Sequence, residues 1–353
     1  MFTVSPADGV LRVVDPLTAA TLRAVPLFDT TNQPVVSCNG LAVHPVTGQL
    51  WALVRTTGSV RRLATVDPAT GLVTVIGATS DSFAGIAFRS DGVLLAVTGD
   101  GATVPETLYR LDTTTAASTV VCALGNGTDG EAIAFVPQDG FLYHCSGLGV
   151  PDVDEVFERV DTDNGATTAI SLAGFHYREM LGLTSWVGGN LLGADLDNEL
   201  MVINTRGQVT RIGTLDHSAK GIAFRPSLNT TPFVRGYGNG CQTSSGEVPL
   251  LWTAGSPALG SSFSLELRLI PPTAFGLLGI GNGTGALPIP SPQCQAQISP
   301  PAGTVGFFST PAGAATFLLT VPAALGASDF YFQAGILDGS SFAVSNPLQV
   351  HAR

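Results

Sequence analysis

The residues best suited to chemistry in this chain sit just ahead of a strand that recurs along it. They are Asp81; Asp129 with Glu131; His176 with Arg178 and Glu179; and Asp216 with His217 and Lys220. A mixture of carboxylates, imidazoles and cations could bind a cation or a sugar, or move protons in hydrolysis of a carbohydrate or lactone. Charged residues at loop ends are also commonly just solvated, and Glu131 or Lys220 could serve only to pair with an opposite charge.

Two other clusters gather the oxygen ligands that Ca²⁺ prefers: Asp152 with Asp154, and Asp195 with Asp197. Neither has the Gly and Glu spacing of an EF-hand loop, and similar acidic turns often just connect strands. Nucleophile and phosphate signatures are missing. There is no Gly-x-Ser-x-Gly elbow, no His-Glu-x-x-His pair and no glycine loop ending in Gly-Lys-Ser/Thr. The segment Gly279–Gly285 is rich in glycine, but strands and prolines flank it, which reads as a loop between strands. The five histidines share no metal-like spacing. No cofactor is expected, with Ca²⁺ as the one candidate ion.

What positions the first group is a repeat. Gly85-Ile-Ala-Phe-Arg-Ser-Asp-Gly-Val-Leu-Leu-Ala-Val97 has counterparts beginning at Gly40, Ala132, Leu181 and Gly221. Aligned on Leu41, Ile86, Ile133, Leu181 and Ile222, the copies step by 45, 47, 48 and 41 residues. After the first four copies comes an apolar strand that ends in Asp or Asn and a turn: Asp67, Asp112, Asp161 and Asn204. A Thr/Val-rich strand follows each. Four short strands per unit, with no 3.6-residue spacing, predict the blades of a β-propeller. The chain starts in mid-blade, and the last copy, Gly221–Pro226, lacks the rest of its unit. Joining the two pieces predicts five blades in a ring closed by both termini, spanning 1–235, with the candidate residues at the channel mouth.

Composition restricts the partners. Charged residues make up 12% of the chain, about half the usual fraction. The surface must therefore be largely Thr, Ser, Gly, Ala and Pro, which suits packing against other protein or reflects compositional bias alone. A net charge of −11 without any basic cluster argues against nucleic acid. No apolar run approaches the roughly 18 residues of a membrane helix. The start of the chain shows no basic segment leading into an apolar one, so it reads as a mature chain or a fragment of a precursor.

Near residue 236 the rhythm stops. Alternating runs such as Ser262–Leu269, Ala315–Val321, Phe330–Ala334 and Leu348–Val350, with turns at Asn282-Gly283 and Asp338-Gly339, predict a small antiparallel β-sandwich over 236–353. Here Gly236-Tyr-Gly-Asn-Gly-Cys241, Pro257-Ala-Leu-Gly260, Cys294, Val321-Pro322 and Tyr331-Phe-Gln-Ala334 form a spaced pattern. It resembles the C-terminal β-domain that ends many exported proteins of environmental high-GC bacteria, often directly after a propeller. The likeness covers about the last third of the chain. It departs near Cys294, where the family often carries a Gly-Cys-x-x-Cys run and this chain has Gln293-Cys-Gln. It implies a secreted or cell-surface location and carries no established activity.

With that resemblance, Cys241 and Cys294 are expected to form a disulfide stapling the sandwich. Cys122 and Cys145 could also pair across a blade interface. Cys38 is then left as a buried thiol or a site for an intermolecular bridge. The expected function is non-enzymatic: interaction with other protein, including self-association into a surface structure or filament. The alternative is a ligand-binding or hydrolytic propeller acting at the channel mouth.

Overall fold

The computed structural model describes every residue except 57, 59, 100, 125–131, 148–155, 187–188, 225–232, 237–239, 256, 289–293, 299–300, 326–327, 340 and 353. The fold is all-β and built of many antiparallel sheets. Among the described residues no helix is long and apolar enough to cross a membrane. The chain divides into two compact units, the first formed by Met1–Trp186 with Asn190–Arg225 and the second largely by Pro226–Arg353. The division falls before residue 235 because the strand Phe233–Gly236 pairs with Leu348–Ala352 of the second unit.

Five sheets make up the described part of the first unit. Four begin with an innermost strand and continue outward through three antiparallel neighbours. Those innermost strands are Ser37–Val43, Phe83–Phe88, Ala132–Val136 and Met180–Ser185. The remaining sheet takes its innermost strand from the far end of the unit. Gly221–Ala223 pairs with Phe2–Val4, which leads on to Val10–Val14 and Thr21–Pro26. Two-residue strands, Phe28–Asp29 and Ala173–Gly174, add in parallel to the outer edges of two sheets.

Each sheet is apolar on both faces, so it must be covered on both. Five separate cores do this. One lies between Leu11 and Leu50, the next between Trp51 and Phe83, and the third between Leu95 and Leu142. The fourth joins Tyr143 to Leu191, and the fifth joins Leu200 to Val14. The innermost strands pack in the same order, and the strand Met180–Ser185 packs against Gly221–Ala223, which in turn packs against Ser37–Val43. Leu41, Ile86, Ile133 and Ile222 each enter the core shared with the preceding sheet. In the fourth copy that position is held by Leu183, not by the expected Leu181. An irregularity in the pairing between Met180 and Gly182 shifts the strand register there.

The Asp and Asn markers close the turns between third and fourth strands. Asp67 accepts the Ala69 N–H at 2.9 Å and the Thr70 hydroxyl at 2.7 Å. Asp15, Asp112, Asp161 and Asn204 accept equivalent bonds. The turn then needs a left-handed residue. Gly71, Gly165 and Gly207 supply it, while Ala19 and Ala116 adopt φ of 63°. These acidic side chains are structural parts of the turns.

The second unit is built of antiparallel sheets. A six-stranded sheet and a three-stranded sheet enclose one core, with Leu251, Leu265 and Leu267 facing Leu278, Phe332, Ile336 and Val350. Two of its strands, Phe275–Gly281 and Pro301–Phe308, fall where glycine obscures the alternating pattern. Gly279–Gly281, expected as loop, completes the first of these.

Candidate functional site

The strands Ser37–Val43, Phe83–Phe88, Ala132–Val136, Met180–Ser185 and Gly221–Ala223 converge where each carries a small residue: Gly40, Gly85, Ala132, Gly182 and Gly221. A side chain at Gly182 would stand 2.8 Å from the Ala219 carbonyl oxygen, and one at Gly221 would stand 2.9 Å from the Gly40 backbone. The space left at this end is about 10 Å³, the room of roughly one water. At the opposite end, lined by Val43, Phe88, Phe135, Ser185 and Phe224 among others, it is about 60 Å³.

Of the described candidates for the channel mouth, Lys220 alone lines this convergence. Asp129 and Glu131 lie outside the described residues. Asp81 serves as a staple: its carboxylate accepts N–H bonds from Ser82 and Thr103, both at 2.8 Å, and from Val104 at 3.3 Å. Partial burial works against its charge, but these N–H donors outweigh it and hold the carboxyl below the usual range. Arg178 reaches Asp197 at 3.2 Å, with both side chains more than half exposed. Glu179 packs over Gly147, where any side chain would collide with it. His176 is exposed.

His217 has the most ordered surroundings of the group. Its Nδ1 lies 2.6 Å from Asp216 Oδ1, and its Nε2 lies 2.7 Å from Thr3 Oγ1. The Asp216 carboxylate can only accept, so Nδ1 carries the hydrogen and Nε2 accepts the Thr3 O–H. Burial holds the imidazole below its ordinary 6.5, against the opposing pull of Asp216. Its bond lowers the Asp216 carboxyl in turn. An Asp–His–hydroxyl series is also how a nucleophile is activated. Thr3, however, is completely buried in the strand Phe2–Val4, where no substrate could meet its oxygen. The series ties the start of the chain to the loop before Gly221–Ala223.

The proposed Ca²⁺ ligands divide likewise. Asp152 and Asp154 lie outside the described residues. Asp195 is buried and accepts N–H bonds from Asp197 at 3.0 Å, Glu199 at 2.8 Å and Arg178 at 3.2 Å. Burial raises its pKa, the backbone bonds only partly offsetting this. Among the described residues no group of three or more His, Cys, Asp or Glu side chains is arranged to hold a metal ion.

Cys241 and Cys294 form the expected disulfide, with Cα atoms 5.7 Å apart. No disulfide joins Cys122 to Cys145. Cys122 is on an outermost strand, its Cβ against Gly165, and belongs to the core between the sheets of Phe83–Phe88 and Ala132–Val136. Cys145 is fully buried on the far face of the sheet of Ala132–Val136, in the next core. Burial, and after it the charge of Glu158, raises the Cys122 thiol. Cys38 is buried, and burial pushes its thiol up to about 12.

One polar pair has no counterpart among the sequence candidates. His144 and Glu158 face each other across neighbouring strands, Nδ1 to Oε1 at 3.0 Å, both completely buried. The available signal was alternation: each occupies a position between residues of the opposite core, where Leu142 and Val160 mark an apolar face.

The second unit carries a different kind of surface. Phe275, Leu277, Val305, Phe308 and Leu318 are exposed. Between Arg268 and Asp329 the sequence contains no Asp, Glu, Lys, Arg or His.

No protein-family model matches the chain, and no curated protein matches it. Among solved structures, a chain of "Crystal Structure of Mitotic Checkpoint Complex" is 18% identical with a TM-score of 0.35, over 64% of this chain and 65% of that one. A chain of "Dihydro-heme d1 dehydrogenase NirN in complex with DHE" is 13% identical with a TM-score of 0.33, over 76% and 52%. The chain thus spans less than two thirds of each. At such scores neither likeness bears on function.

Proposed function

We propose that the first unit is a five-bladed β-propeller closed by both ends of its own sequence, and that the protein is a non-enzymatic interaction and assembly protein. It works at the cell surface or in the secreted space, as a subunit of a surface structure or filament. The blade count is supported by the five cores between successive sheets and by the pairing of Gly221–Ala223 with Phe2–Val4. The location is supported by the Cys241–Cys294 disulfide, a bond that persists in oxidising compartments.

The observation that carries the assembly reading is the exposed, uncharged apolar surface of the second unit in a chain that is otherwise strongly acidic. Phe275, Leu277 and Phe308 share one face of the paired strands Phe275–Gly281 and Pro301–Phe308, and monomeric proteins seldom leave contiguous apolar patches bare. The channel-mouth reading is less well supported, because Asp81 and His217 spend their bonding capacity within the fold. Light scattering and electron microscopy of the purified full chain test the proposal. Ordered oligomers that grow with concentration are expected. A monodisperse monomer at every concentration would remove it.

A further inference from the structure

The strand Pro301–Phe308 is the last strand of the six-stranded sheet, and its one partner among the described residues is Phe275–Gly281. In an antiparallel pair, alternate residues of an edge strand turn their N–H and C=O groups away from the partner. Natural edges usually hide those groups with charge, bulges, prolines or brevity. This edge is eight residues long, its proline and its one pairing irregularity fall at the Pro301 end, and from Ala302 to Phe308 every residue is exposed except Phe307, which is half-buried. Phe307 turns inward against Phe317, ring centroids 5.1 Å apart, and anchors the strand to the core. Phe308 stands outward beside Phe275 at 5.4 Å. A side chain at Gly303 would meet nothing within 4 Å, so the strand's flank is open.

Resting on the assembly reading above, we propose that this edge is where a second copy of the chain docks, its own Pro301–Phe308 adding antiparallel across a two-fold axis. Charge selects this occupant. Each copy carries −11, so two copies repel wherever carboxylates meet. The edge strand, its partner strand and the whole of residues 269–328 carry no ionisable side chain except Cys294, whose sulfur is in the disulfide. An edge without charge offers nothing to an acidic or basic partner. It matches its own copy, because a strand paired antiparallel with itself satisfies the same backbone groups on both sides. With Thr304 of the two copies opposite one another on the axis, Val305 of each lies across from Gly303 of the other, where a side chain meets nothing.

Sedimentation velocity of the full chain over a concentration series tests this, with Val305→Lys and Phe308→Lys as edge variants. Leu22→Lys, at an exposed position of the first unit, serves as the control. Circular dichroism and thermal melting establish that each variant folds. The expected result is self-association of the unaltered chain, weakened about tenfold or more by either edge lysine and unchanged in the control. A Thr304→Cys variant gives a second readout: mild oxidation should link two copies through position 304, a product absent from the unaltered chain. If the chain associates and the edge variants associate equally well, the docking site is wrong while the assembly reading stands. If the unaltered chain stays monomeric throughout, both fail.

Discussion

Thr3 stands directly opposite Ile222 in the antiparallel pairing of Phe2–Val4 with Gly221–Ala223, so the two ends of the first unit share one sheet. Ile222 sits in the core that joins this sheet to that of Met180–Ser185, and Thr3 donates its hydroxyl to His217 in the preceding loop. Removing either contact should loosen the same joint. Ile222→Ala is expected to cost about 2–4 kcal/mol, since a fully buried branched side chain leaves a cavity. Thr3→Val should cost about 1–2 kcal/mol by leaving His217 Nε2 without its donor. Chemical denaturation of the two variants checks both values.

The pH response follows from His217. Its folded pKa is depressed, so the unfolded chain takes up the proton first as pH falls. The stability it contributes is complete above the unfolded value of about 6.5 and is lost as pH falls through the folded one. Carboxylates with lowered folded pKa, Asp81 and Asp216 among them, add their own loss only in more acidic solution. In denaturant titrations at stepped pH, the decline just below about pH 6.5 should be smaller in His217→Gln than in the unaltered chain. An equal decline in both would assign it to other groups.

The buried pair predicts non-additivity. His144→Leu alone removes the imidazole that faces the completely buried Glu158 carboxyl group, at an expected cost of about 3–5 kcal/mol. His144→Leu with Glu158→Leu should cost less than the sum of the single changes, because the two side chains bond each other directly. A double-mutant cycle by urea unfolding reads the coupling directly.

The thiols predict a separation between units. Reducing Cys241–Cys294, which closes a sequence separation of 53, should destabilise the second unit by about 4 kcal/mol on loop entropy. The first unit's transition should not move. Cys38, with its thiol pushed up to about 12, should resist alkylation in the native protein and react once the unit unfolds. Calorimetry with and without reductant, and mass spectrometry after alkylation, check the two statements.

Much of the first unit could be read from residues alone, for a simple physical reason. A sheet covered on both faces writes dense apolar strands, and turns that need Asp and a left-handed residue write Asp67–Gly71 or Asp161–Gly165. Leu183 was missed because a pairing irregularity shifts register without altering composition. His144 and Glu158 were missed because each alone looks like an ordinary strand residue, and only register brings them together. Pro301–Phe308 escaped notice since glycine and proline mask a strand's alternation, although its lack of charge was plain. The channel-mouth set looked like a site because loop ends collect charge. Bonding partners, which spacing does not reveal, make Asp81 and His217 parts of the frame.

The most direct test of the account is sedimentation equilibrium of the full chain at rising ionic strength. Added salt screens the repulsion between acidic copies and leaves apolar contact intact. Association should therefore strengthen as salt increases. A chain that remains monomeric in every buffer, or one whose association salt dissolves, would contradict docking through an uncharged surface.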